Sequence, residues 1–539
     1  MRNILVTSAL PYANGSIHLG HMVEEIQTDI WVRVQKLLGH NCLYICADDT
    51  HGTAIMLSAA KNSESPETLI KRMQEEHTKD FQDFQISFDN YYTTHSAENK
   101  ELAEYIFLKA KEKNLIYKKE IEQFYCEACG IFLPDRLIKG TCPKCKTPEQ
   151  YGDNCEACSF TYNPQDLIEP YCVECKNKPI LKKSTHYFFS ISGSSEEIKA
   201  WLATDPVRPE IKNKLAEWFT EGLKDWDISR DAPYFGFKIP GEEEKYFYVW
   251  LDAPVGYMAS TLNWCKGDKA LFDQIWGKNS NYEIFHFIGK DILYFHTLFW
   301  PGMLKAADFK LPQKIFVHGF LTVNGQKMSK SRGTFITART YLNLLNPELL
   351  RYYYAAKLTS SIDDLDLNLE DFVYKINSEL INKFINIASR LSKVIEKNFA
   401  SQLSTLEPEG EKLLNEAKLA IPGIIKFYEE LEYAKATKEI MRIAETANKY
   451  INDFAPWEAV KTNPELAQAI CTTGINFLKI VSGLLKPIVP VTIAKIEDLL
   501  QINPIDFNNI TEPVLNQQIK QYTHLLERIE LAKVKELVG

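Results

Sequence analysis

Two short segments carry the side chains best suited to chemistry. His18 and His21 stand three apart in His18-Leu19-Gly20-His21, ahead of Met22, Ile26, Ile30 and Val34, apolar residues that recur at helical spacing. Side chains three apart share a helix face, and the first helical turn offers unpaired backbone N–H groups that attract anions. Two imidazoles there suit a polyphosphate; the plain alternative is a solvated helix start. Far along the chain, Lys327-Met328-Ser329-Lys330-Ser331 lies between Val323-Asn324-Gly325 and Arg332-Gly333-Thr334. It sets two mobile ammonium groups on a glycine-flanked loop, and lysine is a compact point charge for phosphate. Together the segments read as two sides of a phosphate clamp.

A second chemistry is written in cysteine. Eight of the twelve cysteines form four Cys-x-x-Cys pairs, Cys126/Cys129, Cys142/Cys145, Cys155/Cys158 and Cys172/Cys175. Eight thiolates supply two tetrahedral zinc sites, and four thiolates per ion leave no open position, so such zinc is structural. Disulfides belong to small secreted proteins, and the repetition of the pairs within one segment argues against a redox dithiol. Sequential, nested and interlaced pairings are all compatible with the spacing.

These residues need a frame. Ile4-Leu5-Val6-Thr7-Ser8 and Cys42-Leu43-Tyr44-Ile45-Cys46-Ala47 read as fully apolar strands separated by the helix from Leu19 to Leu38. Apolar strands alternating with helices imply a parallel sheet covered on both faces, whose ligands bind beyond the carboxyl ends of the strands. The loops carrying His18 and Asp49 would lie there. Between Tyr125 and Lys183 the cysteine-rich insertion replaces this pattern. Strand character returns at Tyr246–Leu251, Ile284–Gly289 and Ile315–Gly319, and long helical patterns dominate after about Asp371, with Pro408, Pro422 and Pro456 where helices begin or end. The predicted fold is thus a doubly wound α/β (Rossmann-like) domain interrupted by a zinc-knuckle insertion and followed by an all-α bundle. Its segments are 1–115 and 231–320 for the α/β domain, 116–230 for the insertion, 321–372 for the lysine loop and the stretch after it, and 373–539 for the bundle.

At 539 residues the chain exceeds one core, and 45% hydrophobic with 25% charged residues is ordinary for globular proteins. A net charge of -9 excludes indiscriminate coating of nucleic acid. The start lacks a signal-peptide pattern, and the longest apolar stretch, Ile475–Val489, is broken by Asn476, Lys479, Gly483 and Lys486. A cytoplasmic protein without a membrane span is expected.

The two clamp segments resemble the signatures of class I aminoacyl-tRNA synthetases, with Leu19 where isoleucine is commoner. Nearly the whole chain is similar to the methionyl-tRNA synthetase family, through Ala9-Leu10-Pro11-Tyr12-Ala13-Asn14-Gly15, Cys46-Ala47-Asp48-Asp49, Trp250-Leu251-Asp252-Ala253-Pro254 and Phe287-Ile288-Gly289-Lys290-Asp291. The resemblance implies activation of L-methionine by ATP to an adenylate, then transfer to the 3′ end of tRNA(Met), initiator tRNA included. It assigns ATP, carried with Mg2+, to His18, Gly20, His21, Asp291, Lys327 and Lys330. It surrounds the methionine side chain with Leu10, Tyr12, Trp250, Ala253, Pro254, Tyr257, Ile292 and His296, and sets Asp49 on the ammonium group. It joins Cys142, Cys145, Cys155 and Cys158 as one zinc knuckle, leaving Cys126, Cys129, Cys172 and Cys175 for an outer one. It gives the anticodon to Asn386, Arg390 and Trp457. It also implies that misactivated homocysteine cyclises to its thiolactone, and a monomer with no obligate protein partner is expected. The competing readings are a synthetase for leucine, isoleucine or valine, which carries a larger editing insertion, and a non-catalytic zinc protein that binds RNA.

Overall fold

A computed structural model describes residues 1–538 except Asp135, Asp153, Asn154, Glu156, Ser159, Thr161 and residues 329–333, and omits the Glu221 side chain. Strands β1 (Asn3–Ser8), β2 (Asn41–Asp48), β3 (Asn90–Thr93), β4 (Glu283–Gly289) and β5 (Lys314–His318) form one all-parallel sheet in the order β5-β4-β1-β2-β3. The chain moves outward from β1 in one direction through β2 and β3, then outward in the other through β4 and β5. The switch point therefore lies between β1 and β4, and the loops leaving their carboxyl ends, residues 9–18 and 290–292, face each other there. Helix α1 (Leu19–Leu37) follows the first of these loops, burying Met22, Ile26 and Ile30 against the sheet.

The insertion leaves the sheet on a long antiparallel hairpin, Ile116–Cys126 against Ile180–Phe189. Its far end holds a small sheet, Ile138–Thr141 between Gln150–Tyr151 and Ile168–Cys172, around a minor core of Phe124, Leu133, Ile138 and Leu167. So few apolar side chains cannot hold a fold alone, and cross-linking by a metal supplies what the core lacks.

The bundle contains α2 (Pro347–Lys357), α3 (Asn386–Phe399), α4 (Pro408–Glu429), α5 (Tyr433–Phe454) and α6 (Pro464–Leu485). Glu407 caps α4 by accepting from Gly410 N at 2.7 Å, and Asn463 caps α6 by accepting from Leu466 N at 3.1 Å, each ahead of a proline at the first helical position. Helix α6 has the length and apolarity of a membrane span, yet 89% of its apolar window is buried by its neighbours, which makes it the bundle's core helix.

Two expectations are corrected. Tyr246–Leu251 is not a strand of the main sheet: Lys245–Phe247 pairs with Ser229–Asp231 in a separate hairpin, and Val249–Asp252 turns into a helix. A short apolar run has no periodicity that separates strand from helix. Pro422 does not bound a helix but lies within α4, on its exposed face, where water can satisfy the carbonyl it releases.

Candidate active site

The capping box at the start of α1 fixes both histidines. His18 is the N-cap, its Nδ1 accepting from Gly20 N at 3.1 Å and His21 N at 3.4 Å, while His21 Nδ1 accepts from His18 N at 3.3 Å. The rings stack at 3.7 Å. Burial first, and His18 second, hold His21 well below the usual histidine range, so it is neutral at pH 7. With both Nδ1 atoms accepting, a neutral ring carries its proton on Nε2, and the pair offers N–H donors directed away from the cap. Gly20 permits this closeness: a Cβ there would stand 2.9 Å from His18 Nδ1 and 2.7 Å from Met328 Cε. Met328 therefore packs on the histidine turn and brings Lys327 with it. The far side of the lysine loop is tied to the same turn, with Leu19 N donating to Ile336 O at 3.0 Å and Ala338 N to Ile17 O at 2.8 Å. Lys330 lies outside the described residues.

A cleft of about 510 Å³ joins His18, Gly20, His21, Lys327 and Asp291. Three of its residues were not singled out in the sequence, Glu24, Glu25 and His318. Their only signal was acidic residues one helical turn after His21. Glu24 accepts from His318 Nε2 at 3.0 Å and from Ala9 N. Burial, then the charge of Glu24, pushes Glu25 well above the carboxylate range while Tyr44 and Ser8 donate to it. The shift favours a neutral Glu25, which leaves one negative charge fewer in a cleft that also holds Glu24 and Asp291.

Next to it lies a cavity of about 490 Å³ lined by Leu10, Asp49, Trp250, Ala253, Pro254, Tyr257, Ile292 and His296. Of the residues expected around methionine, Tyr12 alone is outside this cavity; it lines the adjoining clefts and donates from its hydroxyl to His51 O at 2.7 Å. Trp226, Tyr294 and Phe295 complete an aromatic wall absent from the sequence reading, with Trp226 5.0 Å from Trp250 and Phe295 6.0 Å from it. Aromatic residues scattered along a chain read as ordinary core, so nothing in the sequence marked them. Tyr257 OH is 3.0 Å from His296 Nε2, and burial lowers His296 to about 4, which keeps the ring neutral and the pocket free of positive charge. Asp49 is half-buried, and its Oδ1 is buried with no hydrogen-bond partner among the described residues. An orphaned buried carboxylate oxygen is a strong attractor for a cation. The two cavities share Ala9, Leu10, Asp291 and Ile292, so occupants of one abut occupants of the other.

A third cleft, about 700 Å³, opens between the insertion and the same wall of Tyr12, Asp49 and Trp250. Arg230, also unmarked in the sequence, stands on it with its guanidinium 3.5 Å above the Tyr248 ring and 3.2 Å from Asp227.

The eight paired cysteines gather as two groups of four, Cys126, Cys129, Cys172 and Cys175, and Cys142, Cys145, Cys155 and Cys158, with sulfurs in each group within 4.8 Å of one another. The pairing is nested. All eight are free thiols, and the closest Sγ–Sγ separations run from 3.3 Å for Cys126–Cys175 to 3.9 Å for Cys142–Cys158. Tetrahedral ligands about 2.3 Å from zinc stand about 3.8 Å apart, so both groups fit the ion.

In the bundle, Asn386 and Arg390 line one groove of about 430 Å³ with Asn448 and Asn452. Arg390 donates to Asn452 Oδ1 at 2.7 Å and lies 4.7 Å from the Trp457 ring centroid. Trp457 is 38% exposed, an indole face presented at the groove's edge and held by the turn at Ala455.

Comparison with known proteins matches nearly the whole chain. Residues 4–392 match the family described as tRNA synthetases class I (M), and residues 402–526 match the anticodon binding domain of methionyl tRNA ligase. A methionine–tRNA ligase of Thiobacillus denitrificans is 52% identical over the whole of this chain and 78% of its own length. The fold is also that of a Mycobacterium tuberculosis methionyl-tRNA synthetase in complex with methionyl-adenylate, at TM-score 0.80 and 23% identity over 97% of this chain and 99% of the other. Its apo form aligns at TM-score 0.74 and 23% identity over 98% and 99%. The chain belongs to the methionyl-tRNA synthetases and is a class I methionine–tRNA ligase.

Proposed function

We propose that this ligase activates methionine in the aromatic cavity and ATP in the neighbouring cleft, and that His18, His21, Lys327 and Lys330 clamp the triphosphate between them. The reading is carried by the wall the two cavities share, Leu10, Asp291 and Ile292. Methionine's thioether lies among Trp250, Tyr257 and His296, its ammonium group meets Asp49, and its carboxylate is turned toward the cleft. A carboxylate oxygen attacks the α-phosphorus, the bond to the bridging oxygen breaks, and pyrophosphate leaves. A ribose hydroxyl of tRNA then attacks the acyl carbon and AMP leaves. No protein nucleophile is needed. The residues supply position and charge: Nε2–H donors from the two histidines, and ammonium groups to meet the negative charge of the departing pyrophosphate. Gly20 gives the close approach and Asp291 borders both substrates. Mg2+ arrives with ATP as part of the substrate, held by its phosphates.

Two structural zinc ions hold the knuckles, each by four thiolates, and stiffen the insertion beside the cleft open to the tRNA acceptor end. Asn386, Arg390 and Trp457 read the anticodon, by hydrogen bonds to base edges and by stacking on an unpaired base. Homocysteine lacks one methyl group, which an apolar pocket discriminates by about 1–3 kcal/mol. It is therefore activated at a finite rate, and its thiol attacks its own acyl carbon to release the thiolactone and AMP. The enzyme works in the cytoplasm as a monomer, which light scattering tests.

Pyrophosphate exchange tests the clamp. Lys330→Ala should slow methionine-dependent exchange by about a hundredfold or more while methionine binding, followed by tryptophan fluorescence, is retained. Near-normal exchange would remove the lysine loop from the reaction.

A further inference from the structure

His51 is fully buried, and nothing in the chemistry above uses it. A buried polar ring is costly unless its nitrogens are bonded, and both are. Its Nδ1 bonds the carboxylate of Asp252, and its Nε2 is 3.0 Å from His95 Nδ1. Phe237 and Phe235 meet the ring face-to-edge at 4.6 and 5.6 Å, leaving it no other orientation.

The bond to Asp252 joins the two sides of the amino-acid pocket. His51 is two residues past Asp49, and its carbonyl accepts the Tyr12 hydroxyl at 2.7 Å. Asp252 is two residues past Trp250 and directly before Ala253, and its own carbonyl is held by Asn99 Nδ2 at 3.2 Å. One loop therefore carries the partner for a cation, one helical turn carries the apolar wall, and the imidazole–carboxylate bond sets the distance between them. The same bond engages Asp252 Oδ2, a second buried negative charge that acts on Asp49.

We infer that His51 is a positioning residue for methionine, acting through Asp252 and Tyr12 to hold the Asp49 carboxylate at the distance from the Trp250–Pro254 wall that the ammonium group requires. This rests on the reading of Asp49 as the ammonium's partner. His51 lines neither the aromatic cavity nor the phosphate cleft, so its effect should fall on methionine affinity alone.

The test compares H51N, whose side-chain amide nitrogen reproduces the reach of Nδ1, with H51Q, which reproduces the reach of Nε2, and with H51L. Pyrophosphate exchange gives KM for methionine and for ATP, thermal melting reports folding, and D49N is run alongside. H51Q and H51L should raise the methionine KM about tenfold or more while H51N recovers to within about threefold of the parent. The ATP KM should stay within about twofold throughout. Should H51L fail to fold, the Asn/Gln contrast decides alone. Unchanged methionine KM in H51Q, equal damage in H51N and H51Q, or a parallel rise in ATP KM would overturn the inference. D49N separates the two readings: an unchanged methionine KM there refutes the role of Asp49 itself, whereas a raised one with a flat His51 series refutes only the positioning role.

Discussion

Replacing Asp49 by Asn removes one of the two carboxylates that line the aromatic cavity, the other being Asp291 on the wall shared with the phosphate cleft, while the neighbouring His296 is neutral. Asp49 is partly exposed at the cavity, but its Oδ1 is buried and unpartnered among the described residues. Burial, then the charge of Asp252, pushes its carboxyl well above the ordinary range. In the empty pocket it is therefore protonated under conditions where an exposed aspartate would be ionised. An arriving ammonium group favours the carboxylate, so binding methionine expels a proton, and affinity rises with pH until Asp49 is ionised without ligand. Linkage limits the slope to about tenfold in affinity per pH unit for one proton. Truncating one member of a buried, hydrogen-bonded charge pair costs about 2–5 kcal/mol, or about thirtyfold to a few thousandfold in affinity. The assay is pyrophosphate exchange at pH 6.0 to 8.0, with methionine titrated at saturating ATP and ATP titrated at saturating methionine. The parent's methionine KM should fall as pH rises while the ATP KM stays level, and Asp49→Asn should raise the methionine KM and abolish the slope. A pH-independent parent KM, or a slope that survives in Asp49→Asn, refutes the reasoning.

Gly20→Ala places a methyl group 2.7 Å from Met328 Cε and 2.9 Å from His18 Nδ1. Exchange should slow at least about tenfold with little change in melting temperature, and an undisturbed rate would show that the lysine loop need not close on the histidine turn. Cys145→Ser and Cys175→Ser should each lower the zinc content from two ions per chain to one, measured by plasma mass spectrometry on protein never exposed to chelator. Loss of both ions from either variant would mean the two knuckles fold as one unit. Trp457→Ala removes a stacking face worth about 1–3 kcal/mol per base, so the KM for tRNA should rise about fivefold to a hundredfold while methionine-dependent exchange is unchanged. Equal loss in both assays would make Trp457 a packing residue.

Each half of the proposed phosphate clamp was legible because its spacing is local. Helical periodicity after Leu19 puts His18 and His21 at a helix start, and although most basic loops are simply solvated, the pentapeptide Lys327–Ser331 is too specific to pass as one. The cysteines were legible as ligands, although their nesting needs the long hairpin Ile116–Cys126 with Ile180–Phe189, which brings Cys126 beside Cys175. Other parts depend on contacts between residues hundreds of positions apart. Trp226 and Phe295 become a pocket wall only when the insertion's last strand returns over the loop after β4. Glu24 has meaning only beside His318, at the end of β5. Pro422 misled because a proline in a helical pattern carries no sign of whether its face meets solvent.

Helix α1 shows why the histidine turn and the bundle are not separable. Its first turn holds the two histidines, and its later turns are bound by buried polar groups from the bundle side. Arg351, fully buried on α2, bonds Asp29 at 2.6 Å, Ile488 O at 2.8 Å and Pro487 O at 2.9 Å, while Tyr433 OH donates to Gln27 O at 2.9 Å and Tyr354 OH to Leu19 O at 3.0 Å. Asp29 also accepts from Arg33 at 2.7 Å, so its charge is doubly compensated and its pKa lies below the usual range even though burial opposes ionisation. Breaking a buried pair of this kind costs about 3–5 kcal/mol because it strands the other charge. The hydrophobic core runs without interruption from Ile4 and Val6 through Ile26 to Leu391 and Ile451. The bundle is therefore packed and hydrogen-bonded directly onto α1, whose N-terminal end is the cap that holds His18 and His21 in their stacked arrangement.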